Sequence, residues 1–253
     1  MRSRLLCLPM IAVFAVAACS TAPDRATTIS MQPAAATPAQ TPVSQAPKPK
    51  GAGDQLTSTQ AKAALLTVAD LPAGWASENS KKSTADDQST SKIEPVACQT
   101  IYDELAATYD ELAATSVGEE AKVKEKATFF QGSSFVILEM QVSSFETNNR
   151  GDQIKNLGER LTKCAKMTFT KKGVKTEMTL SPLSFPNLGD QSLAVRMNEK
   201  IEMMDTVADF VFVATGHNTV SFIVAGFQSP MPVTELEKIA RSAMTKLAVA
   251  AKS

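Results

Sequence analysis

Four cysteines, one histidine and a few adjacent acids are the side chains of this 253-residue chain with reactive chemistry to offer. A cysteine can be acylated, oxidised or kept as a thiol, and its surroundings decide which. Cys7 lies inside an apolar run, Cys19 directly follows Val16-Ala17-Ala18, and Cys98 and Cys164 stand far apart downstream. Their spacing excludes a Cys-x-x-Cys redox motif. The single histidine, His217, falls in Gly216-His217-Asn218, where it is expected at an exposed hairpin tip as an ordinary polar residue. Asp86-Asp87, among Ser and Lys, reads as a solvated loop, and Glu119-Glu120, near Lys122 and Lys124, as a charged edge. No Gly-x-Ser-x-Gly elbow, His-Glu-x-x-His pair, P-loop or dinucleotide fingerprint occurs. The expectation is a protein that is not an enzyme, with no catalytic residue, no metal site and no cofactor.

The remaining cysteine chemistry is set by the N-terminus. Arg2 and Arg4 precede an uncharged run from Leu5 to Ala18, the pattern of an export signal. As a helix that run spans about 21 Å, short of the roughly 30 Å bilayer core, so a transmembrane span is disfavoured. Val16-Ala17-Ala18-Cys19 resembles the bacterial lipobox, in which the cysteine is acylated and becomes the new N-terminus. Cys19 is therefore the expected lipidation site and residues 1–18 the signal peptide, with plain secretion and a free Cys19 as the alternative. Residues 19–55 comprise that cysteine and an Ala/Pro/Thr-rich stretch with six prolines between Pro23 and Pro49 and no apolar periodicity. Such a composition cannot offset its ordering entropy and is expected to act as a tether.

Lys+Arg and Asp+Glu both number 26, so the chain carries no net charge. A nucleic-acid partner, which calls for a basic excess, is excluded on that ground. Loss of Arg2 and Arg4 leaves the mature chain mildly acidic, without electrostatic attraction to anionic lipid.

Residues 56–253 form the folded part. Thr57 and Gln60 suggest a capping box opening a short helix with Ala61, Ala64 and Leu65, ended by Pro72 and Gly74. Ser77 to Lys92 is polar and expected to be a loop. A helix is expected from Val96 to Ser116, with Cys98, Ile101, Tyr102, Leu105, Tyr109 and Leu112 as its apolar stripe. Its heptad Tyr-Asp-Glu-Leu-Ala-Ala-Thr occurs twice, at 102–108 and 109–115, which lengthens a helix with little rotation of its buried face. Strands are expected over Lys122–Phe130 and Phe135–Phe145, with a turn at Gly132-Ser133-Ser134 between them. A helix over Asn149–Met167 carries Ile154, Leu157, Leu161 and Cys164 on one face. Alternating sets at Val174–Leu180 and Leu193–Met197 indicate two more strands. Val207–Thr215 and Thr219–Phe227, apolar on both faces, should be central strands joined by a tight hairpin. A last helix follows Pro232, with Thr234 and Glu237 as its expected capping box. The order suggests an α+β fold: one domain with a twisted, mainly antiparallel β-sheet flanked by helices.

Cys98 and Cys164 lie on the apolar faces of their two helices, in a chain addressed to an oxidising compartment, and are expected to form a disulfide. Two free buried thiols are the alternative. Trp75 is expected to pack under the turn that it ends.

Several segments together look like the PknH-like extracellular (sensor) domain family of actinobacteria. They are Leu65-Leu66-Thr67-Val68-Ala69-Asp70-Leu71-Pro72-Ala73-Gly74-Trp75, the positions of Cys98 and Cys164, Leu188-Gly189-Asp190-Gln191-Ser192 before a strand, the Gly216–Asn218 hairpin and the closing amphipathic helix. The resemblance spans about residues 56–250. It implies a twisted antiparallel sheet flanked by helices, with a cleft for an unidentified ligand. Members occur as the outer domain of membrane Ser/Thr kinases and as free-standing lipoproteins. This chain lacks the kinase domain, and it has one disulfide pair where the kinase sensor has two. No ligand-contacting residue carries over.

The expected function is a sensor-like, ligand-binding lipoprotein, anchored in the cell membrane on the extracytoplasmic side and binding an envelope ligand or small molecule. A non-enzymatic module binding a protein or wall polymer is the first alternative, and a hydrolase with an unrecognised site the second. An apolar-lined cleft of several hundred Å³ would favour the first reading, and a flat apolar patch a partner.

Overall fold

The computed structural model describes residues 51–78, 92–106, 120–132, 134–171, 173–201, 204–227 and 231–253. Cys19, Asp86-Asp87 and the second heptad copy, with the signal and nearly all of the tether, lie outside the described residues. The described part belongs to one compact unit.

Nine strands form a single sheet in which all neighbours run antiparallel. They are β1 (Trp75–Ser77), β2 (Lys92–Glu94), β3 (Val123–Gln131), β4 (Val136–Ser144), β5 (Lys166–Lys171), β6 (Val174–Pro182), β7 (Gln191–Ile201), β8 (Met204–Thr215) and β9 (Asn218–Phe227). Their order across the sheet is β1-β3-β4-β9-β8-β7-β6-β5-β2. Four α-helices are described: α1 (Ser58–Ala64), α2 (Gln99–Ala106), α3 (Arg150–Leu161) and α4 (Val233–Ala250).

The two-sided apolar pattern of β8 and β9 places them at the centre, as expected. Val211, Val213, Val220, Phe222 and Val224 project into one core with Ala61 and Ala64 of α1 and Leu236, Ile239 and Leu247 of α4. Phe210, Phe212 and Ile223 project into a second core with Ile101 of α2 and Ile154, Leu157 and Leu161 of α3. Alternation along a strand sends neighbours to opposite faces, so both cores draw on the same two strands.

The structure departs from the sequence reading at several places. α3 stops at Leu161, a 3-10 turn covers Thr162–Cys164, and Lys166–Lys171 is strand β5 rather than helix. Thr168, Phe169 and Thr170 favour extended backbone, and Leu180 N–H bonds to the Ala165 carbonyl at 2.9 Å, starting the β5–β6 ladder. Short strands β1 and β2 flank the segment read as a loop, pairing with β3 and β5. Residues 96–98 form a 3-10 turn before α2. The box at Thr57 and Gln60 forms, but that at Thr234 and Glu237 does not. α4 begins at Val233, so Thr234 is already inside the helix, and Glu237 instead pairs with Arg241 at 2.7 Å.

Packing also reaches further toward the N-terminus than residue 56. Ala52 is fully buried. Asn218 Nδ2 donates to the carbonyls of Ala52 and Asp54 at 2.8 and 2.6 Å, and His217 N–H donates to Gly53 at 2.9 Å. The hairpin tip is thus covered, and His217 is half-buried with Nδ1 3.2 Å from the Phe145 carbonyl, not exposed as expected. Gly216 takes φ +56°, and a Cβ there would collide with the Gly53 carbonyl. From the other side Asp190 Oδ2 accepts the Gly216 N–H at 2.6 Å, which gives the Leu188–Ser192 phrase a structural task.

Cys98 and Cys164 are bonded, with Cα atoms 5.7 Å apart, joining the start of α2 to the end of α3. A bond across 66 residues of chain is expected to stabilise by about 4 kcal/mol in the chain-entropy model. The Cys98→Ser/Cys164→Ser variant should lose that amount in urea unfolding, and the wild-type protein the same amount in reductant. A wild-type midpoint indifferent to reductant would show that the bond does not form.

Candidate functional site

α2 and α3 cover β5 to β8 on the second face but leave one end of the central strands open. Two rungs of the sheet form the floor there. In the first, Ile137 of β4, Ala225 of β9, Ala208 of β8 and Met197 of β7 lie side by side. In the second, Phe227 of β9, Thr206 of β8 and Glu199 of β7 follow in the same order. Further along these strands the face carries Phe210, Phe212 and Ile223, which the helices bury. At the first rung the central positions are alanines, so the floor drops and a cleft of about 360 Å³ remains. Tyr102 of α2 closes one side, with its ring 5.4 Å from that of Phe169, and Phe135 stands at the opposite lip.

The lip is apolar and open to water. Phe135 is 64% exposed, Phe227 52% and Ile137 42%. Phe135 takes φ +52°, in the left-handed region where a bulky side chain costs about 1–2 kcal/mol. Its ring sits edge-on to that of Phe130, 6.4 Å away. Strain of this kind persists where surrounding structure imposes it, and here it holds an aromatic ring at the mouth.

One charged group lines the cleft among the described residues, Glu199. Its Oε2 accepts from the Thr206 hydroxyl at 3.2 Å. Burial pushes the Glu199 carboxyl up, against the opposing effect of the Thr206 hydrogen bond. Burial, followed by the negative charges of Glu199 and Asp103, pushes the Tyr102 phenol up to about 12. Tyr102 therefore stays a hydrogen-bond donor throughout the physiological range. The cleft has apolar walls and a polar corner of Glu199, Tyr102 and Thr206.

Other residues singled out in the sequence lie elsewhere. Trp75 is buried in the first core, on the face opposite the cleft. His217 stands at the other end of β8 and β9, about 26 Å from Ala225 along the strand. Glu120 is exposed, and Lys122 pairs with Glu146 at 3.2 Å as a solvated edge. A second depression, about 460 Å³, lies over the disulfide and is bordered by Arg160 and Lys163. No cleft residue was identified from the sequence. Ala208 and Ala225 are small residues in strands that also carry Phe, Ile and Val, and only their register sets them side by side.

No family model matches the chain, and neither does any curated protein. The fold is similar to the crystal structure of the extracellular domain of PknH from Mycobacterium tuberculosis. That likeness has a TM-score of 0.55 and 13% identity, and covers 77% of this chain and 98% of that one. A putative uncharacterized protein from Mycobacterium smegmatis, an Rv0999 ortholog, aligns with a TM-score of 0.40 and 11% identity over 76% of this chain and 97% of that one. At such identities the PknH likeness concerns the fold.

Because its carboxyl is raised, Glu199 binds a proton more readily in the folded chain than in the unfolded one. Wild-type stability therefore falls as pH rises from the ordinary carboxylate range upward. Glu199→Gln removes this dependence, so it is expected to be more stable than wild type at pH 7 and to converge with it below about pH 4. Thermal unfolding at both pH values reads the difference; equal melting temperatures at pH 7 would contradict a desolvated carboxylate.

Proposed function

We propose that this protein is a sensor-like, ligand-binding domain of the cell envelope, non-enzymatic, that takes an apolar small molecule into the cleft above Ala208 and Ala225. The observation that carries this reading is the cleft itself: several hundred Å³, walled by apolar side chains, with a few polar groups converging at one corner. The fold similarity to an extracellular domain supports an extracytoplasmic location, as does the export signal read in the sequence. No helix among the described residues is long and apolar enough to cross a membrane. Attachment is assigned to acyl chains on Cys19, each buried methylene contributing about 0.8 kcal/mol, with the Pro-rich stretch as the tether.

A neutral apolar fluorophore such as N-phenyl-1-naphthylamine tests the cleft. It should bind wild-type protein with a blue-shifted emission. Ala225→Phe, or the smaller change Ala225→Leu, should weaken binding at least tenfold while circular dichroism stays unchanged. Equal binding by wild type and both variants would place the probe elsewhere and refute the reading. Cys19→Ala is expected to move the protein from the membrane fraction to the soluble one; retention with membranes would refute the lipid anchor.

A further inference from the structure

Glu199 is a partly buried carboxylate facing an apolar cleft, and no described lysine or arginine pairs with it. Two other buried or half-buried acids of the sheet are paired with a cation. Asp209 is held by Arg196 through two bonds of 2.7 Å, and Glu139 by Lys126 at 2.7 Å. Desolvated charges are normally compensated in this way, since an unpaired one is costly. Glu199 has only the Thr206 hydroxyl on Oε2, and its Oε1 accepts from no described residue. The nearby Tyr102 adds an aromatic ring suited to a cation and a phenol that remains protonated.

The apolar surface has a direction relative to this corner. The first rung runs from Ile137 through Ala225 and Ala208 to Met197, three strand spacings or about 14 Å. Glu199 follows Met197 on the same strand and face, two residues on. A linear ligand laid along the lowered floor therefore brings one end to the carboxylate and leaves the other at Ile137 and the exposed Phe135.

Building on the proposed ligand-binding role, we infer that the cleft selects a linear cationic amphiphile, its apolar chain across Ala225 and Ala208 and a primary ammonium against Glu199 and Tyr102. The ammonium supplies the cation that the fold withholds from Glu199. An anionic head would meet the same carboxylate as a repulsion in a poorly solvated corner, so the site rejects fatty acids by charge while matching their chains.

The test is calorimetric titration of the purified protein with dodecylammonium, dodecanoate and the neutral dodecyl maltoside, each below its micelle concentration and at one ionic strength. Dodecylammonium should bind at least tenfold more tightly than dodecanoate. Glu199→Gln should bring the two within about threefold without abolishing binding of the neutral probe. The wild-type ratio alone decides if that variant folds poorly. Dodecanoate binding as tightly as dodecylammonium, or a ratio that Glu199→Gln leaves unchanged, overturns the charge selection, while Ala225→Phe sensitivity still upholds an apolar site. Failure of all three probes and of N-phenyl-1-naphthylamine to bind overturns both.

Discussion

Val211, Val213, Val220, Phe222 and Val224 leave the β8–β9 hairpin on one side and Phe210, Phe212 and Ile223 on the other, so neither face of it can be left in water. Each such side chain contributes about 1.5–3 kcal/mol on burial, and the hairpin carries enough of them to dictate its surroundings. Strands must flank it on both edges, and helices must cover it above and below. β4 and β7 supply the edges, α1 with α4 one cover and α3 with α2 the other. The two helical covers come from distant parts of the chain. On the second face, α2 is held to α3 by the Cys98–Cys164 bond.

This same constraint explains what could be read from sequence. Two-sided hydrophobicity identifies β8 and β9 without knowledge of any partner, and the alternation in β4 and β6 does nearly as well. The central elements, and the antiparallel class of the sheet, were therefore legible. The edge strands β1 and β2 were not, because three residues such as Lys92-Ile93-Glu94 have no periodicity and owe their conformation to pairing with β5. β5 was hidden by continuity: Met167 extends the apolar stripe of α3 by a plausible step, and only the ladder with β6 breaks the helix after Cys164. The covering of the hairpin by Gly51–Asp54 was invisible for a different reason. It is made by backbone carbonyls accepting from Asn218 and His217, and carbonyls leave no trace in residue type.

The cleft was illegible for a third reason, since it results from subtraction. Ala208 and Ala225 are unremarkable in any strand, and each alone would leave a shallow dent. They make a floor because antiparallel register sets them beside one another, between Ile137 and Met197. Register is a pairwise property that one residue's type does not encode. Glu199 reads on the sequence as a polar member of an alternating strand. It acquires its character from the same register, which puts it beside Thr206 and two residues past Met197 on the face that Tyr102 overhangs.

A floor made of central strands limits how this protein can respond to an occupant. β7, β8 and β9 are fixed by continuous ladders on both edges and by a core on the opposite face, so their separation under the cleft cannot change without breaking the sheet. A ligand shifts a conformational equilibrium only through elements that contact it differently in two states. Those elements stand at the rim: Tyr102, near the start of α2, and Phe135, held in a strained turn between β3 and β4. Tyr102 is four residues from Cys98, whose bond ties the turn before α2 to the turn after α3. The bond therefore limits how far the start of α2 can shift against α3, whereas nothing covalent among the described residues restrains the rest of the helix in the same way. The opposite end of the sheet, where Gly51–Asp54 is bonded to Asn218 and His217, is isolated from that movement by about 23 Å of central strand. The cleft and the Gly51–Asp54 covering thus lie at opposite ends of one hairpin, whose paired strands keep their separation fixed.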